Sequence, residues 1–386
     1  MWHLATCLAA CLVALVASQC SDLPCLNIKD CPLWRDRLED KVISEHSAEI
    51  QQEFKKSICG FGDGPKVCCR KAKPPAAPPR SCGRILVGGD RHCGGCEEVA
   101  SPGQWPWVAR ILYGQNSQEP NTTFCGGALV SPRHVITAAH CASNEAKVPV
   151  AVLLGEHDVA TEYDCITREQ ECGASGEEGR RCLEEGLCAE KAVRYEVANK
   201  YVHPKYKNAK PKRPLYDVAL LELERPVEFS PYIQPVCLPL SARPTPVTGP
   251  LVLKGWGNTV KGFGAPESAR VLQELKGLKE VPLEDEGEEP GCHSMIGAIA
   301  DLKGHHMCVW KQDSGANACP GDSGGPVSRL RRAHVRDPGS WELAGVISFG
   351  VTKACASNTP LVLTRIENQE ILSWLQEVIG EEMPKR

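Results

Sequence analysis

The sequence predicts an all-β protein, a barrel or sandwich of short strands, ending in one helix and preceded by a small disulfide-braced module. Three observations carry this expectation. Short apolar runs alternate with Gly, Pro and Asn turns over most of the chain. After a Pro-rich run only one stretch, near the end, has clear helical spacing, and the cysteines fall into groups on either side of that run.

The first residues, "MWHLATCLAACLVALVASQC", form a short apolar run ending in small residues. Residues 1–18 read as a secretory signal peptide cleaved near Ala17 or Ser18. A membrane-spanning helix needs about 20 apolar residues, and this run is shorter. The chain holds 22 cysteines, and removing the leader takes Cys7 and Cys11 with it, leaving an even number. Even cysteines behind a leader imply disulfides in an oxidising compartment, so the expected location is secreted and extracellular.

Residues 20–69 carry Cys20, Cys25, Cys31, Cys59, Cys68 and Cys69. A segment this short buries little apolar surface, so three disulfides make physical sense there. The stretch between Cys31 and Cys59 is expected to contain a helix. Residues 70–84 begin with "RKAKPPAAPPR", whose prolines favour an extended linker. From 85 to 386 the runs "PWVARILY", "GALVSPRHVITAAH", "VPVAVLLG", "DVALLELE", "PLVLKGWG", "WELAGVISFG" and "PLVLTRI" read as strands. The tail "IENQEILSWLQEVI" reads as a helix with Ile371, Leu372, Leu375 and Ile379 on one side.

The 386 residues suffice for a substantial core, and a formal net charge of −4 exerts no general pull toward nucleic acid or a membrane. No cofactor or metal is expected. Cys93 and Cys96 read as members of the disulfide framework, with partners unassigned, rather than as zinc ligands. The pairing of Cys93, Cys96, Cys165, Cys172, Cys182 and Cys188 stays open among 15 arrangements. The basic runs "KYKNAKPKR" and "RLRRAHVR" and the acidic "EDEGEE" read as solvated loops. Asn121 in "NTT" is an expected glycosylation acceptor.

Three segments hold the parts of an activated alcohol. A serine hydroxyl attacks a carbonyl only when a base takes its proton and a third group holds that base in the right tautomer. "VITAAHC" ends a strand at His140, "YDVALLEL" opens one at Asp217, and "GDSGGP" sets Ser323 in a glycine-rich turn. There the N–H groups of Gly321 and Ser323 are candidates for an oxyanion hole. The order His, Asp, Ser is one of the recurring arrangements of this constellation.

On these motifs the chain from about Ile85 resembles the chymotrypsin-like serine proteases, and Cys20 to Cys69, ending in "PKVCC", resembles the clip domain of arthropod secreted zymogens. The resemblance implies two six-stranded antiparallel barrels with the site in the cleft between them. It implies His140 as general base and acid, Asp217 as its orienting partner and Ser323 as nucleophile. It also implies the disulfides Cys125–Cys141, Cys292–Cys308, Cys319–Cys355 and Cys82–Cys237, the last tethering the clip segment after cleavage. A cascade role in immunity, melanisation or clotting rests on the resemblance, as do protein substrates, a trypsin-like upstream activator and a serpin-type inhibitor. Catalytically silent homologues that act as binding cofactors usually lose the serine; here all three residues are present. Glu156 stands where some relatives bind calcium, but the cysteine-rich insertion after it makes that transfer unsafe, and no metal is assigned.

Relatives are made inactive, and the amino terminus freed by cleavage pairs with the aspartate before the nucleophile, here Asp322. The expected bond is Arg84–Ile85 in "CGRILVGG", which is one residue longer than the usual start. In the pocket, the residue six before the serine is Asn317, which supplies no charge for an Arg or Lys substrate. Ser348 and Gly350 belong to the strand expected along the pocket. Leu361 replaces a glycine in its wall. A shallow, uncharged pocket is expected.

Overall fold

The computed structural model describes residues 25–27, 48–62, 64–68, 82–85, 100–114, 125–145, 148–164, 188–189, 191–208, 214–240, 249–259, 267–287, 290–296, 302–311, 318–332, 339–350 and 359–383. Residues 1–18, residues 70–80, Asn121, Asn317, Cys93, Cys96, Cys165, Cys172, Cys182 and Cys355 lie outside them. The chain divides into two compact units, Met1–Ala77 and Pro78–Arg386.

In the first unit, β1 (Cys25–Asn27), β2 (Ile58–Gly62) and β3 (Gly64–Cys68) make an antiparallel sheet in the order β1-β3-β2. Cys25 stands opposite Cys68 in it. Helix α1 (Ala48–Ser57) falls inside the stretch expected to be helical and leads directly into β2. Phe54 and Val67 are buried, and Cys59 is disulfide-bonded.

The second unit contains two closed antiparallel barrels, which resolves the barrel-or-sandwich expectation. The first runs β4-β5-β6-β9-β8-β7, from β4 (Val108–Gly114), β5 (Gly126–Leu129), β6 (His134–Thr137), β7 (Val148–Leu154), β8 (Val193–Val202) and β9 (Ala219–Leu223). Strands β5 and β6 are buried throughout, because closure buries the inward face and the neighbouring elements cover the other. Gly127 shows how tightly they pack: a Cβ there would lie 2.8 Å from Val135 Cγ1. The core gathers Trp107, Ile111, Leu129, Ile136 and Leu220, all fully buried.

The second barrel runs β10-β13-β14-β17-β16-β15. Its strands are β10 (Leu251–Gly255), β13 (Gln273–Val281), β14 (His306–Trp310), β15 (Pro326–Arg331), β16 (Ser340–Gly350) and β17 (Leu361–Arg365). A two-stranded sheet of β11 (Asn258–Thr259) and β12 (Glu267–Ser268) stands between β10 and β13 in the chain. Leu253, Met307, Val309, Val327 and Leu363 form its core.

The C-terminal helix (Gln369–Ile379) begins where the Asn368 side chain accepts the N–H groups of Glu370 and Ile371, satisfying two donors that have no partner within the helix. It buries Ile371, Leu372, Trp374, Leu375 and Ile379, matching the face expected from spacing. Among the described residues no helix is long and apolar enough to cross a membrane.

One core residue departs from the apolar rule. Lys254 of β10 is fully buried, and its Nζ lies 4.1 Å from the Trp105 ring centre and 5.3 Å from that of Trp341. The amine donates to the Ser328 hydroxyl. Burial pulls its pKa well below the ordinary lysine value, opposed by the Glu274 carboxylate. Glu274 is also buried and accepts from Gln104 Nε2 at 3.1 Å and Trp105 Nε1 at 2.9 Å. Aromatic faces and a hydroxyl replace the water that this amine loses.

Candidate active site

The pairing of β6 with β9 sets Thr137 opposite Ala219. His140 lies three residues beyond the first of these, on the short helix α2 (Ala139–Ala142), and Asp217 lies two before the second. The two therefore meet at the mouth of one strand pair. The Asp217 carboxylate is 1% exposed and takes the His140 backbone N–H at 2.9 Å and ring Nδ1 at 2.7 Å. A carboxylate only accepts, so Nδ1 carries the hydrogen and Nε2 keeps its lone pair. Burial alone pushes the His140 pKa down, but the Asp217 charge and hydrogen bond outweigh it and leave the value above 6.5.

Two further hydroxyls hold Asp217. Ser348 donates to Oδ2 at 2.5 Å, and Thr364 donates to the Asp217 carbonyl at 2.8 Å. A buried carboxylate needs donors, and Ser348, 4% exposed and on the strand expected along the pocket, supplies one. Thr364 had no role in the sequence reading. Both sit on neighbouring strands, with Val346 of β16 opposite Thr364 of β17.

Ser323 enters from the second barrel. Its carbonyl accepts the Gly126 N–H at 2.8 Å. Gly126 follows Cys125, which is bonded to Cys141, the neighbour of His140. Gly324 has φ +75°, and a Cβ there would come within 2.2 Å of Thr137 Oγ1 and 2.6 Å of the Gly126 carbonyl. Only glycine lets the serine turn approach the end of the histidine strand so closely. Among the described residues, the N–H groups of Gly321 and Ser323 donate to no protein acceptor, whereas those of Asp322 and Gly324 bind Cys319 O and Ile347 O. Two unspent donors thus stand at the nucleophile candidate, its own N–H and that of the residue two before it.

Asp322, between them, is buried. It accepts the N–H of Gly257 at 2.8 Å and of Cys319 at 2.9 Å. Burial nevertheless raises its pKa to about 6, against those two hydrogen bonds. A Cβ on Gly255 or Gly257 would fall 2.2 Å from its carboxylate oxygens, which explains both glycines of "KGWG". The other activation candidates lie along β16. Gly83 exchanges backbone hydrogen bonds with Pro235 and Trp341, Arg84 reaches the Gly339 carbonyl at 3.5 Å, and Ile85 packs on the main core.

Leu361 is 2% exposed in the second barrel's core cluster, against which Ala318 packs, and it stands opposite Gly350. Cys82 is bonded to Cys237 and Cys292 to Cys308. Cys319 is disulfide-bonded. Near Glu156, Asp158 is held by Arg270 through two contacts of 2.6 and 2.7 Å.

A histidine held by a buried carboxylate, together with a serine in a glycine turn tied to Gly126 and packed against the end of the histidine strand, defines a serine-hydrolase class of site. Comparison with known proteins narrows it. The trypsin family matches residues 95–169 and 186–375, and the regulatory CLIP domain of proteinases matches 24–69. The chain is 30% identical over 385 residues to the proclotting enzyme of Tachypleus tridentatus, covering 92% of this chain and 86% of that one. It is 27% identical over 388 residues to phenoloxidase-activating enzyme 1 of Spodoptera litura, covering 92% and 91%. The crystal structure of the Drosophila Grass clip serine protease of the Toll pathway shares its fold with a TM-score of 0.58 at 22% identity, over 93% of this chain and 94% of that chain. The chain belongs to the trypsin family of serine proteases. It is a serine-type endopeptidase bearing a clip domain.

Proposed function

We propose that Ser323 attacks the scissile carbonyl, His140 takes its proton through Nε2 and returns it to the leaving amine, and Asp217 holds the imidazole. Gly321 and Ser323 N–H groups stabilise the oxyanion, and water then releases the acyl-enzyme. The observation that carries this reading is the double contact of the buried Asp217 with His140.

The protein is read as a secreted zymogen acting in an extracellular proteolytic cascade; the names of the relatives, a proclotting enzyme and a phenoloxidase-activating enzyme, support a role in clotting or phenoloxidase activation. A trypsin-like protease cuts at Arg84–Ile85. The new amino terminus pairs with Asp322, whose burial without a cation favours such a partner. Cys82–Cys237 keeps the clip segment covalently attached. Substrates are proteins and the natural inhibitor is serpin-like. The pocket, with Asn317 and Leu361, is shallow and uncharged, preferring Ala, Val or Leu; this reading rests on the absence of a charge at Asn317 and on a leucine where relatives carry glycine.

One experiment tests the reading. The full chain is treated with trypsin, the new amino terminus sequenced, and cleavage profiled on a peptide library with Ser323→Ala as control. The expected outcome is a start at Ile85 or Leu86 and at least about tenfold preference for small apolar residues over Arg. Preferential cleavage after Arg would reject the pocket, and full activity of the intact chain would reject the switch.

A further inference from the structure

Asp217 depends on the residue before it. Among the described residues, Tyr216 is the one non-glycine with positive φ, at 50°. An aromatic residue there is held against its backbone preference by its surroundings. Its carbonyl accepts the Val218 N–H at 2.8 Å, closing a three-residue turn centred on Asp217. This reversal turns the Asp217 carboxylate toward both nitrogen donors of His140.

The ring of Tyr216 is clamped. It stacks on His203 with centroids 4.9 Å apart and planes at 6°, and on His305 at 4.0 Å and 18°. Its hydroxyl donates to Glu370 Oε2 at 2.5 Å, and Glu370 also holds Lys205 Nζ at 2.9 Å. His203 in turn meets Trp374 edge-on at 5.1 Å. The clamp thus joins the loop before Asp217 to β14's approach on one side and to the C-terminal helix on the other. Burial pushes His305 down to about 4 and lowers His203 as well, so at neutral pH the sandwich is of uncharged rings, with no charge to hydrate.

We infer that Tyr216 is a positioning residue for the reaction: its clamped ring holds a left-handed backbone that aims Asp217 at His140. This rests on the proposed role of Asp217 as partner of His140. The test compares Tyr216→Val, Tyr216→Asn and Asp217→Asn in the full chain in its active form, by kcat, KM, the acid limb of the kcat profile and melting temperature. Valine disfavours positive φ and asparagine tolerates it. Tyr216→Val is expected to lower kcat on the order of 10- to 100-fold, with KM within about twofold and the acid limb moved to lower pH. Tyr216→Asn, which also loses the ring sandwich, is expected to restore most of kcat. Equal loss of melting temperature in both Tyr216 variants, with kcat and acid limb unchanged, would overturn the inference and leave Tyr216 a packing residue. If Asp217→Asn itself leaves kcat unchanged, the failure belongs to the role of Asp217.

Discussion

Ser323→Ala is expected to lower kcat on a peptide substrate about a million-fold while leaving the fold and KM close to those of the parent. The side chain is half-buried and no described hydrogen bond uses its hydroxyl, so removing the oxygen takes away chemistry rather than structure. The turn survives the change because backbone contacts hold it: Ser323 O to Gly126 N–H, Gly324 N–H to Ile347 O and Gly325 N–H to Asp322 O. About a thousandfold acceleration over water is expected to persist, since the Gly321 and Ser323 amides still stabilise an oxyanion formed by water attack. Steady-state kinetics with active-site titration checks both numbers. A loss below about tenfold would remove Ser323 from the mechanism.

Asp217→Asn is expected to cost about 10,000-fold in kcat, roughly 5 kcal/mol of transition-state stabilisation. The amide is nearly the same shape and still fits between His140, Ser348 and the strand ends. Its NH₂ group donates where the carboxylate accepted, which favours the imidazole tautomer with Nε2 protonated and unable to act as base. The pH profile carries a second signature. Activity requires neutral His140 and is lost as pH falls through its pKa. In the parent that value lies above 6.5, because the Asp217 charge and hydrogen bond outweigh burial. With the charge gone, burial is unopposed, and the acid limb of kcat/KM is expected below pH 6.5. A limb that stays in place would mean that Asp217 does not govern the imidazole.

What the sequence disclosed and what it hid divide along one physical line. His140, Asp217 and Ser323 were legible because each sits in a short local context, a strand end or glycine turn, that can be read without knowing its neighbours. The C-terminal helix was legible for the same reason: Ile371, Leu372, Leu375 and Ile379 mark its buried face within eleven residues. The closure of β4 on β7 and of β10 on β15 was not, since strand pairing across such separations leaves no trace in a local pattern. Nor was the hydroxyl of Ser348 on Asp217, 131 residues away. The sequence placed Ser348 in a pocket strand and could not say which way its side chain turned. Lys254 reads as a polar interruption of "LVLKGWG", and only the folded chain brings Trp105, Trp341 and Ser328 around its amine. Tyr216 is hidden in the same manner, because neither its left-handed backbone nor the two histidines against its ring follow from the residues beside it.

The central claim is that one hydroxyl, Ser323 Oγ, becomes nucleophilic through His140. Mass-spectrometric mapping after brief exposure of the active full chain to diisopropyl fluorophosphate tests it most directly, because the reagent phosphorylates an activated alcohol far faster than an ordinary one. One adduct per chain on Ser323 is expected, absent when His140→Ala is treated in the same way. An adduct on another residue, or equal labelling of Ser323 without His140, would contradict the account.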